Sequence, residues 1–132
     1  MARLPYLEAA DLPAEHRDLL ARGINLHKLL AHSPAAARAF SGLGGHIRFG
    51  SKLDPRLREL AILQVGYLTK SDYEYSHHIK IGHDFGVTDD DIRAMIDETK
   101  GKPTTLDPLS KTVLKAAREM TQAIDLSDDT FA

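Results

Sequence analysis

Arg58-Glu59-Leu60-Ala61-Ile62-Leu63-Gln64-Val65-Gly66-Tyr67-Leu68 is apolar on nearly every side beyond its first turn when wound as a helix. A helix of that kind belongs in the interior. Asp54-Pro55 just ahead of it supplies an N-cap and a proline at the first helical position, so the helix is predicted from Pro55 to about Thr69. Glu59 shares its face with Ile62, Leu63 and Gly66 rather than with charged residues. A carboxylate in such surroundings is costly unless it is hydrogen-bonded or paired. Its partner has to come from elsewhere in the chain.

The next segment offers one. Ser71 opens a helix predicted to reach about Phe85, with Gly86 placed to end it. At 100° per residue, Ser71, Glu74, His78, Ile81 and Phe85 fall within an arc of roughly 80°, flanked by Tyr75, Ile79 and Gly82. Tyr73, His77, Lys80, His83 and Asp84 fall on the other side. The apolar arc faces the core and takes Glu74 and His78 with it, where they are expected to meet Glu59. Simpler readings stand beside this one. Ser71-x-x-Glu74 is also a capping box, and Glu74 with His78 is also an i,i+4 pair worth roughly 0.2–0.5 kcal/mol.

Helices continue on both sides, and no alternating apolar and polar stretch argues for a strand. A first helix is predicted from Pro13 to about Ala31. A second begins at Ser33-Pro34 and runs through about Phe49, with a break or a close helix approach at Gly42, Gly44 and Gly45. Beyond Gly86, Thr88 caps a fifth helix that is acidic in its first turn and ends near Lys100-Gly101. Asp107-Pro108 starts a sixth, reaching about Ile124. Ser127-Asp128-Asp129 looks like the start of one more, and C-terminal helices are expected beyond Ala132. The fold class is all-α, a compact bundle of six to seven helices forming one domain over residues 1–132.

The 132 residues carry 42% apolar and 27% charged side chains, the balance of an ordinary soluble globular domain. Seventeen Lys and Arg against nineteen Asp and Glu leave a formal charge of −2, which gives no electrostatic footing for nucleic acid or an anionic membrane. No apolar run is long enough for a transmembrane helix, and Met-Ala-Arg-Leu-Pro-Tyr-Leu-Glu lacks the core of a secretory signal, so a cytoplasmic location is expected. There is no cysteine, which excludes disulfides, thiolate nucleophiles and Cys-ligated zinc. Of the seven histidines, His16, His27, His32 and His46 have no patterned partner and read as structural or surface residues, and His77 and His83 as solvated.

Leu53-Asp54-Pro55-Arg56-Leu57-Arg58-Glu59-Leu60-Ala61-Ile62-Leu63, Tyr73-Glu74-Tyr75-Ser76-His77-His78 and Gly86-Val87-Thr88-Asp89-Asp90-Asp91-Ile92 together resemble the carboxymuconolactone decarboxylase family, within the alkylhydroperoxidase D-like superfamily. Alkylhydroperoxidase-like members carry Glu, eleven residues, then Cys-x-x-Cys-x-x-x-His. Counted from Glu59, the cysteine positions are Ser71 and Glu74 and the histidine is His78. Dithiol peroxide reduction needs one thiolate to attack and a second thiol to resolve, so that activity is excluded. The cysteine-less decarboxylase branch fits better.

What the resemblance implies is a lyase of aromatic catabolism, working without a cofactor or metal on a small organic acid or lactone. His78 is the natural proton carrier near neutral pH. Glu59 would orient it, and Glu74 is a second acid or base. Ser71, Tyr73 and Tyr75 would support the site, and Arg58 or Arg56 could anchor a substrate carboxylate. The resemblance also implies a homo-trimer or homo-hexamer with the site near subunit contacts. Two alternatives remain open: a Glu59–Glu74–His78 metal site, and a non-catalytic assembly that kept the fold after losing the dithiol.

Overall fold

The computed structural model describes residues 3–132. Among them every regular element is helical, as the all-α reading requires. The chain divides into two compact units, one up to Ser51 and one from Lys52 on.

The first unit holds two 3₁₀ segments, Ala9–Asp11 and Ala14–Leu20, then α1 (Asn25–Leu30) and α2 (Pro34–Gly45), which runs on into a π-helical turn, His46–Gly50. The single helix expected from Pro13 to Ala31 is therefore not formed. Gly23 takes a φ of +63°, a conformation that ends one helical segment before α1 begins. The three glycines of α2 do not mark a close approach either, because a Cβ built on Gly42, Gly44 or Gly45 would meet nothing within 4 Å. Arg38 on α2 holds Asp18 with two hydrogen bonds, at 2.8 and 2.9 Å.

The second unit packs helices around α3 (Pro55–Leu68), which contacts α4 (Asp72–Asp84), α5 (Asp89–Thr99) and α6 (Pro108–Gln122). The punctuation read from the sequence works here. Asp54 accepts a bond from the Leu57 amide at 3.1 Å, Thr88 and Asp91 form a reciprocal capping box at 3.1 and 2.9 Å, and Asp107 accepts from the Ser110 amide at 2.9 Å. Leu57, Leu60, Leu63, Val87, Ile92, Met95 and Leu114 form the core. Each fully buried leucine there contributes about 1.5–3 kcal/mol. A short α7 (Asp128–Phe131) is tied back to α6 through Glu119, which accepts bonds from Ser127 and Thr130. α6 ends at Gln122, before Ile124, whose side chain is exposed.

Two features set the α3–α4 geometry. Lys70 adopts φ 54° between the helices, and the Ser71 amide donates back to the Gly66 carbonyl at 3.0 Å, so the chain reverses within a few residues. Gly66 then lies against the backbone of α4, where an added Cβ would stand 3.3 Å from both N and Cα of Tyr75. The helices touch main chain to main chain at that point.

Candidate active site

Burial of α3 is uneven. Leu57, Arg58, Glu59, Leu60, Leu63, Gln64 and Gly66 are buried, whereas Val65 is exposed and Ala61 and Ile62 partly so. Glu59 is fully enclosed, at 0% exposure. His78 on α4 reaches it, with Nδ1 2.7 Å from Glu59 Oε2. Arg58 donates from Nε to Glu59 Oε1 at 3.0 Å and lies over the Phe85 ring, 4.6 Å from its centroid. The cost of burying the carboxylate is thus met from two sides. Burial alone would raise the Glu59 carboxyl, but the hydrogen bonds from His78 and Arg58 outweigh it and hold it below the usual carboxylate range.

An ionised Glu59 accepts hydrogen bonds and gives none, so the proton of neutral His78 resides on Nδ1 and Nε2 is left as the free ring nitrogen. Nε2 stands 3.7 Å from Glu74 Oε2. Glu74 is half-exposed, with 43% of its side chain open, against 13% for His78. It lines a groove of about 480 Å³ together with Ala61, Ile62, Val65, Gly66, Thr69, Ser71 and Ala117. Glu59, His78 and Glu74 therefore run in series from a closed interior to an open apolar groove, and only the last of them reaches it.

Other candidates are placed differently from the sequence expectation. Ser71 stands at the N-cap of α4 but makes no side-chain capping bond, so the Ser71–Glu74 capping box does not form. Glu74 extends toward His78 and the groove instead. Arg58, 4% exposed, belongs to Glu59 and Phe85 and does not line the groove. Arg56 pairs with Asp91 on α5 and donates to Ser110 on α6 at 3.3 Å, tying three helices together. Tyr75 packs against Tyr67 at 6.2 Å between ring centroids, and burial, then the neighbouring Tyr67, raises its hydroxyl above the ordinary value. Tyr73 stacks on His77 on the outer side of α4.

The groove wall itself was missed by sequence reasoning. Ala61 and Val65 of α3 and Thr69 at its C-terminal cap recur every four residues on a side turned away from Glu59, and that second stripe was the available signal. For the metal alternative, no group of three His, Asp or Glu side chains is placed to hold an ion among the described residues. Glu59 and Glu74 address opposite nitrogens of His78, so the three do not converge on one point. No helix among the described residues is long and apolar enough to cross a membrane.

Comparison with curated proteins and with solved structures finds no match. Residues 34–119 match the carboxymuconolactone decarboxylase family, a span that contains Glu59, Ser71, Glu74 and His78. With most of its length matched and no cysteine anywhere, this chain belongs to the carboxymuconolactone decarboxylase family.

Proposed function

We propose that this protein is a cofactor-free acid/base enzyme that moves protons on a small organic molecule held in the α3–α4–α6 groove. The observation that carries the reading is the series Glu59–His78–Glu74, which joins a buried ionised carboxylate to the groove through one imidazole. Glu74 is the group that touches substrate. His78 Nε2 takes a proton from Glu74 and returns it, while Glu59 holds the Nδ1 proton and balances the imidazolium charge when it forms. The 3.7 Å gap between His78 and Glu74 closes to a hydrogen bond by a small rotation of the half-exposed glutamate. In a decarboxylation, the electron pair of the breaking C–CO2 bond passes into a conjugated carbonyl, and the resulting carbanion takes a proton from the Glu74–His78 pair. In an isomerisation the same pair removes a proton from one carbon and returns it to another.

The test is incubation of the folded full chain in deuterated buffer with 4-carboxymuconolactone and with an uncharged unsaturated lactone. Deuterium entering carbon, or carbon dioxide released, faster than in buffer alone is the expected result. Neither event with either compound would remove the enzyme reading and favour a non-catalytic assembly. A separate observation supports assembly into a homo-trimer or homo-hexamer: Phe40, Leu43, Ile47 and Phe49 of the first unit are 44–74% exposed. Light scattering on the same sample checks this, and a monomer at micromolar concentration would exclude it.

A further inference from the structure

We infer that the groove selects an uncharged carbonyl compound, such as an unsaturated lactone, ester or ketone, and isomerises it, in preference to a carboxylated substrate. The inference rests on the acid/base reading above and adds the substrate class to it. Among the described residues, no lysine, arginine or histidine lines the groove. Its walls are apolar at Ile62, Val65 and Ala117, and its polar groups are Thr69, Ser71 and Glu74. The two arginines that could have anchored a carboxylate are engaged elsewhere, Arg58 with Glu59 and Phe85 and Arg56 with Asp91 and Ser110. A carboxylate entering the groove would lie beside the Glu74 carboxylate in an apolar setting, where no cation among the lining residues described offsets either charge.

A neutral carbonyl meets better chemistry. The Thr69 hydroxyl donates to the Val65 carbonyl at 2.8 Å, whereas the Ser71 hydroxyl makes no capping bond and can donate to a carbonyl oxygen. With that oxygen on Ser71, the Glu74 carboxylate takes a proton from the carbon next to the carbonyl. The C–H electron pair moves into a dienolate, and the proton returns to the far carbon, leaving the double bond conjugated with the carbonyl. No atom is lost and no oxidant or reductant is needed. The volume, about 480 Å³, suits a small ligand.

Two lactones of the same ring distinguish the classes: γ-valerolactone, which is uncharged, and 5-oxotetrahydrofuran-2-carboxylate. Binding of each to the full chain is measured by calorimetry or ligand-observed NMR at pH 7. The uncharged lactone is expected to bind about tenfold tighter, the gap to narrow in Glu74→Gln, and the preference to reverse in Val65→Arg, which adds a cation to the wall. Equal or tighter binding of the carboxylate by the native protein, or no binding of the uncharged lactone, would overturn the proposal. Conversion of α-angelica lactone to its conjugated isomer, followed by ultraviolet absorbance, reads the chemistry separately. Selective binding without conversion would sustain the ligand class and overturn the isomerisation. Turnover of a carboxylated lactone with no preference for neutral ligands would overturn the class while leaving the acid/base reading in place.

Discussion

Replacing Glu59 by alanine is expected to lower the free energy of unfolding by about 3–5 kcal/mol. The side chain is at 0% exposure, and its two oxygens are the acceptors for His78 Nδ1 and Arg58 Nε. Alanine removes the anion and takes away the acceptor of two donors beneath the surface, Arg58 Nε and His78 Nδ1, the guanidinium itself being 4% exposed. Losing that buried acceptor outweighs any gain from deleting a polar core residue, and the loss is a large share of the roughly 5–15 kcal/mol typical of a domain. Glu59→Gln, which keeps the shape and one acceptor oxygen, should cost less than the alanine variant. Urea denaturation of the three proteins decides it, and an alanine variant as stable as the native chain would contradict the argument.

The same carboxylate gives the expectation a pH dependence. Glu59 is held below the ordinary range in the folded protein, and so is Asp91, where the Arg56 and Thr88 bonds outweigh burial. As pH falls, the unfolded chain takes up these protons before the folded one does. The stability contributed is fully present above about pH 5 and is lost as pH drops through the folded-state values. Glu59→Ala lacks its part of that loss, so its stability should fall less steeply in acid than that of the native protein.

Glu74→Gln should have the opposite profile: proton-transfer activity down by about 10²–10⁴, with stability changed by no more than about 0.5 kcal/mol. Glu74 is half-exposed and 3.7 Å from His78, so its contact is of the weak surface kind. Glutamine fills the same space without accepting a proton. Deuterium incorporation and thermal unfolding measured on one preparation separate the two effects. Retained activity would remove Glu74 from the chemistry, and lost stability would make its role structural.

How much of this was legible depended on whether local rules or packing governed each residue. Asp54-Pro55, Thr88 and Asp107-Pro108 mark helix starts because capping is a local event within one turn. The partnership of Glu59 with His78 was also within reach, since a carboxylate on an apolar face demands a donor and the next helix carries one on its inward arc. Gly23 broke the first predicted helix because helical spacing alone does not register a single residue at positive φ. Ser71-x-x-Glu74 carried two readings at once, and packing chose between them, as a capping pattern competes with whatever tertiary contacts its glutamate finds. The groove was least legible. On a helix apolar all round, which side stays uncovered is decided by where α4 and α6 pack. Arg56 and Arg58 illustrate the same point, since nothing in their order tells which ties helices together and which neutralises a buried acid.

The contact at Gly66 has a consequence for how the protein tolerates change. Because α3 and α4 meet there main chain against main chain, with 3.3 Å available to a Cβ, their separation at that point is set by van der Waals contact of the two backbones and not by the bulk of intervening side chains. Glu59 and His78 hang from these two helices on a rigid joint. An alanine at Gly66 would therefore have to part the helices by a few tenths of an ångström, a displacement carried along both to the 2.7 Å Glu59–His78 link.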